Sequence, residues 1–80
     1  MNIKIVCFAG LRKYFGSQTA VSVDSGASYS AVIDELKALN PEATEVLSGC
    51  RIAVHEKFVR LNEPINPEDT IFLIPPSSGG

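Results

Sequence analysis

The groups best placed for chemistry stand at the end of the chain. Ser77-Ser78-Gly79-Gly80 is reached through Pro75-Pro76 from the apolar run Ile71-Phe72-Leu73-Ile74. Glycine has no Cβ, so a Gly-Gly thread lets the backbone approach another molecule closely and lets a carboxylate enter a channel too narrow for a side chain. Proline fixes φ and has no N–H to donate, so a strand that meets two prolines stops there. The last six residues are therefore expected to leave the folded body, with an extended reach of roughly 20 Å. The chemistry implied is that of the Gly80 carboxylate, which is inert as it stands and reactive once it carries a good leaving group. Chain ends are also where disorder concentrates, so the Pro-Pro mounting matters as much as the two glycines.

Other chemistry is poorly supplied. Ser77 and Ser78 have no base beside them and read as small, flexible spacers. Phosphate-cradling glycine motifs are absent. Cys7 and Cys50, with His55 the single histidine, make a poor metal-ligand set. The expectation is two buried, reduced thiols in a cytoplasmic protein, with no cofactor bound. Glu56, Glu63 and Glu68 fall in turns and read as solvated. The formal charge is −2 with no basic run, so nucleic acid is not an expected partner. There is no run of about 18 apolar residues to cross a membrane, and Met1-Asn2-Ile3-Lys4 lacks the layout of a secretion signal.

The elements that must position the tail follow from periodicity. Eighty residues, 45% of them apolar, suffice for one small domain. That size leaves little room for a deep pocket and suits a carrier or partner rather than a self-contained enzyme. Residues 2–8 read as a strand with Ile3, Ile5 and Cys7 inward and Lys4, Val6 and Phe8 outward. Residues 9–16 form a connection, and residues 19–23 a second strand hairpinned to the first. Ser28 is the expected N-cap of a helix over residues 29–39, with Tyr29, Val32, Ile33, Leu36 and Leu39 on one stripe. Asn40-Pro41 starts a short second helical turn that Ser48-Gly49 breaks. Residues 51–55 and 58–61 read as strands joined by a tight link, residues 62–69 as a loop, and residues 70–74 as the last strand. The fold class is α+β: a roll with a mixed five-stranded sheet and one main helix across one face. Residues 1–74 make the body and residues 75–80 the tail. One helix covers one face, so Val6, Phe8, Phe72 and Ile74 are expected together on the other, as a partner surface.

Two stretches carry a resemblance: Phe8-Ala9-x-x-Arg12 after the first strand, and the terminal Ile71-Phe72-Leu73-Ile74-Pro75-Pro76-Ser77-Ser78-Gly79-Gly80. With the element order, they resemble the ubiquitin-like β-grasp sulfur carriers, and among these the small subunits of molybdopterin synthase. The stretch over residues 41–49 and the Pro-Pro tail favour that branch over the shorter thiamine-pathway carriers. Two turns depart from the family pattern. Ile65-Asn66-Pro67-Glu68-Asp69 keeps only the last acidic residue of Leu-x-Asp-Gly-Asp, and His55 stands where Asn is frequent.

The resemblance implies a β-grasp fold and a chain that is not catalytic alone but is the sulfur-donating subunit of a transferase. An E1-like activating enzyme would use ATP to adenylate Gly80, and a sulfur donor would convert it to a thiocarboxylate. The tail (Pro75, Pro76, Ser77, Ser78, Gly79) would insert into the large catalytic subunit of molybdopterin synthase within a heterotetramer, and two transfers to a pterin precursor would build the dithiolene. Phe72 and Ile74 stand where the tail emerges. By the resemblance, Phe58 and Ile74 would make apolar contacts with the partners and Arg12 a polar one near the root of the tail. Core packing for Phe58 and a solvated charge for Arg12 remain open alternatives. A thiamine-pathway or tRNA-thiolation carrier, or a ubiquitin-like modifier conjugated through Gly80, would use the same tail.

Overall fold

A computed structural model describes residues 1–76. Strand β1 (Asn2–Cys7) leads through a 3-10 turn (Ala9–Leu11) into the short helix α1 (Arg12–Phe15) and then to β2 (Gln18–Ser22). Helix α2 (Tyr29–Leu39) follows. A 3-10 turn (Pro41–Ala43) and α3 (Thr44–Ser48) lead to β3 (Arg51–Val54), β4 (Lys57–Phe58) and β5 (Ile71–Ile74). The five strands form one sheet in the order β2-β1-β5-β3-β4. The central pair, β1 and β5, is parallel; the other pairs are antiparallel. This is the expected α+β roll with a mixed five-stranded sheet.

Alternation along the strands builds the core. Ile3, Ile5 and Cys7 of β1, Ile71 and Leu73 of β5, and Ile52 and Val54 of β3 point to the covered face. They meet Tyr29, Val32, Ile33 and Leu36 of α2, with Leu11, Leu47 and Ile65 closing the sides. Each such aliphatic residue contributes about 1.5–3 kcal/mol by leaving water. Among the described residues no polar or charged residue is buried.

Four local expectations differ from the structure. Residues 9–16 are not a simple link. Ala9 takes a left-handed φ of 52° and turns the chain into two helical turns that bury Leu11. Leu39 is 61% exposed, because it sits at the edge of the stripe in the last turn of α2. The expected strand over residues 58–61 is shortened to Lys57–Phe58, with one further bond from the Val59 N–H to the Ile52 carbonyl at 2.9 Å. Ser28 holds the N-cap position, but its Oγ lies 2.8 Å from Ser30 Oγ and caps no amide. The first amides of α2 instead donate to the Glu63 and Leu61 carbonyls, at 3.1 and 2.9 Å. The segment after β4 thus supplies the cap. It is anchored by buried Ile65, whose N–H donates to the Ala27 carbonyl at 2.9 Å.

Candidate functional site

The face that α2 leaves uncovered follows directly from strand register. Val6 is paired with Phe72, Phe72 with Ala53, and Ala53 with Phe58. One row of outward side chains therefore crosses four strands. In the next row Ile74 pairs with Arg51, and the Phe8 ring lies 6.0 Å from that of Phe72. Ala53 is small and stands between two phenylalanines. The result is a groove of about 260 Å³ lined by Phe8, Ala53, Glu56, Phe58, Phe72 and Ile74. Phe58 is 55% exposed, so it belongs to this face and not to the core. Covering an apolar concavity of this kind releases water, which favours association.

Charge sits at the margins of the groove. The Arg51 guanidinium lies over the Phe58 ring at 4.0 Å. It stacks on the aromatic face and brings a cation to the groove beside the tail end of β5. Across the sheet, exposed Arg12 donates through Nε to the Cys7 carbonyl at 3.4 Å. Cys7 is in register with Leu73, so Arg12 stands at the end of the sheet from which β5 departs.

β5 ends at Ile74, and the two residues after it, Pro75 and Pro76, are half-buried and exposed. The ladder stops there because neither proline has an amide hydrogen. Ser77, Ser78, Gly79 and Gly80 lie outside the described residues. Phe58, Phe72 and Ile74 thus line one groove, Pro75 and Pro76 follow Ile74 directly in the chain, and Arg12 stands at the same end of the sheet. Arg51 and Glu56 were missed in the sequence, where each reads as an ordinary strand or turn charge. Only the pairing of β3 with β5 and β4 reveals their place at the groove.

The turn between β3 and β4 borders this face. His55 and Glu56 have φ of 52° and 65°, the two left-handed residues of a tight hairpin turn. His55 Nε2 lies 2.9 Å from Asp69 Oδ1. His55, which departs from the family pattern, and Asp69, the acidic residue retained from it, therefore bond to each other. Both cysteines are free and buried. Burial pushes the Cys7 thiol up and the Cys50 thiol up to about 11, with neighbouring Cys7 adding to the second. Both stay protonated at neutral pH and are poor nucleophiles. Among the described residues no three of His, Cys, Asp and Glu stand together as metal ligands would, and no helix is long and apolar enough to cross a membrane.

Comparison with known proteins agrees with this geometry. Residues 5–80 match the ThiS family. The chain is 30% identical over 81 residues to the molybdopterin synthase sulfur carrier subunit of Arabidopsis thaliana, covering all of this chain and 84% of that protein. SAMP1 from Haloferax volcanii superimposes with a TM-score of 0.81 at 24% identity over the full length of both chains, a likeness of fold. A chain from the complex of subunits 1 and 2 of the molybdopterin-converting factor of Helicobacter pylori matches over the full length of both chains, at 25% identity and a TM-score of 0.61.

Proposed function

The chain belongs to the ThiS family, and from that premise we propose that it is the sulfur carrier subunit of a molybdopterin synthase, working through the carboxylate of Gly80. Its full-length similarity to a molybdopterin synthase sulfur carrier subunit supports this. The observation that carries the proposal is the junction at Ile74. This residue is both a wall of the apolar groove and the last strand residue before Pro75-Pro76. A partner that covers the groove also receives whatever the tail bears. The similarity to a chain of a two-subunit converting-factor complex supports a second subunit as that partner.

Activation of Gly80 runs in two steps and sulfur delivery follows. In an E1-like enzyme, a Gly80 carboxylate oxygen attacks the α-phosphorus of ATP and pyrophosphate departs, leaving an acyl-adenylate. Hydrosulfide supplied by the donor then attacks the acyl carbon, displaces AMP and loses its proton. The product is a thiocarboxylate, a better sulfur nucleophile than the carboxylate it replaces. Bound to the large subunit, its sulfur attacks a carbon of a pterin precursor held there and displaces an oxygen leaving group. Water then cleaves the acyl–sulfur bond, leaving sulfur on the pterin and a carboxylate on Gly80, and positioning does most of the work. Burial keeps the chain's own two thiols protonated, so they do not compete as sulfur carriers. Removal of Gly80, or Gly80→Ala, tests this directly in a reconstituted sulfur-transfer assay. Transfer is expected to be lost with the melting temperature unchanged. Full activity without Gly80 would contradict the proposal.

A further inference from the structure

Gly49 caps the C-terminal end of α3 with φ −99° and ψ 0°. Residues of any type adopt that conformation, so the backbone gives no reason for glycine here. Space does. A Cβ on Gly49 would lie 2.9 Å from Pro76 Cγ and 3.7 Å from its Cβ and Cδ. We propose that Gly49 is a positioning residue for the tail: its bare Cα is the seat on which the Pro76 ring rests, and this contact fixes the chain at Pro76, from which the working end continues. The proposal rests on the tail being the working group of the protein.

Neither side of the contact is free to yield cheaply. The Gly49 N–H donates to the Val46 carbonyl and the Cys50 N–H to the Leu47 carbonyl, both at 3.1 Å. Cys50 Sγ donates to the Val46 carbonyl at 3.2 Å. Leu47 and Cys50, on either side, are buried in the core. The floor therefore stays where α3 puts it. On the other side, Pro76 Cγ belongs to a ring closed onto the main chain, so it cannot swing away as the end of a long side chain would. Pro75 is a proline as well, and Ile74 is fixed by its pairing with Arg51. A Cβ at position 49 would press on the Pro76 ring, which is closed onto the main chain four residues before Gly80.

A double-mutant cycle tests this, using Gly49→Ala, Pro76→Ala and the pair. The first readout is sulfur loading of Gly80 by the activating enzyme with ATP and a sulfur donor. Gly49→Ala is expected to lower kcat about tenfold, since a misplacement of about 1 Å costs up to about 100-fold. KM for the carrier, set by the apolar groove, should stay within about twofold. In the Pro76→Ala background, Gly49→Ala should have no further effect. The second readout is independent of activity: the ring-carbon resonances of Pro76 and the amide of Ser77, which Gly49→Ala should shift at an unchanged melting temperature. Wild-type loading by the Gly49→Ala carrier, additive effects in the pair, or unshifted resonances would overturn the proposal. If Gly49→Ala lowers the melting temperature, Pro76→Ala alone must show the same loss of kcat, and wild-type loading by it would equally overturn the idea. A native chain that is never loaded with sulfur would contradict the sulfur-carrier function instead. The resonance shifts then decide the Gly49 contact by themselves.

Discussion

Ile74 and Phe58 are neighbours on the uncovered face, yet they are held there by different means. Ile74 is fixed by the central strand β5, and its outward direction is set by the inward burial of Ile71 and Leu73. Period-2 alternation is the strongest signal a short strand carries, so Phe72 and Ile74 could be placed from sequence. Phe58 sits on a two-residue edge strand and owes its position to Ala53 opposite and to Arg51 stacked on its ring. Alternation alone could not assign it to core or surface. Ile74→Glu is expected to weaken binding of the large subunit at least tenfold and to leave the melting temperature nearly unchanged, measured by calorimetric titration and thermal scan. An unfolded Ile74→Glu chain would mean that the outward register is wrong by one residue. Phe58→Ala should cost about 1–3 kcal/mol of partner affinity and about 1 kcal/mol or less of folding stability.

The elements differ in how openly the sequence declares them. β1, β2, β3, β5 and α2 each carry several apolar residues at one period, and their boundaries fall within a residue or so of expectation. Residues 9–16 and 62–69 have no period to read. What orders them is a left-handed alanine, one buried leucine, and backbone hydrogen bonds to distant carbonyls. The start of α2 shows the consequence. Its free amides are satisfied by Leu61 and Glu63 rather than by the Ser28 hydroxyl. Ser28→Ala should therefore cost less than the usual ~1 kcal/mol of a lost cap. Ile65→Ala should cost about 2–4 kcal/mol, because it empties a core site and loosens the segment that caps the helix. Urea denaturation of the two variants checks the order. In the β3–β4 turn, Glu56→Gly is expected to stabilise by up to about 1 kcal/mol, since glycine carries no Cβ penalty at a φ of 65°.

For the whole molecule, the apolar core and the tail set separate observables. The two thiols are held neutral by burial, above their ordinary value of 9.0, Cys50 up to about 11. Tyr29 is shifted upward from 10.0 in the same sense, by burial and then by Asp69. On raising the pH the unfolded chain loses these protons first. The stabilisation is thus complete below pH 9 and is lost as pH rises through about 11. Unfolding free energy should decline across that window, and less steeply in Cys50→Ala. On the proposed function, the tail acts through covalent chemistry at Gly80. The most direct test is the intact mass of the chain after incubation with ATP, a sulfur donor and the activating enzyme. The expected result is a gain equal to one oxygen replaced by sulfur, located at Gly80 and absent without ATP. An unchanged mass, or Gly80 found in isopeptide linkage to lysines of other proteins with no thiocarboxylate formed, would contradict the sulfur-carrier account.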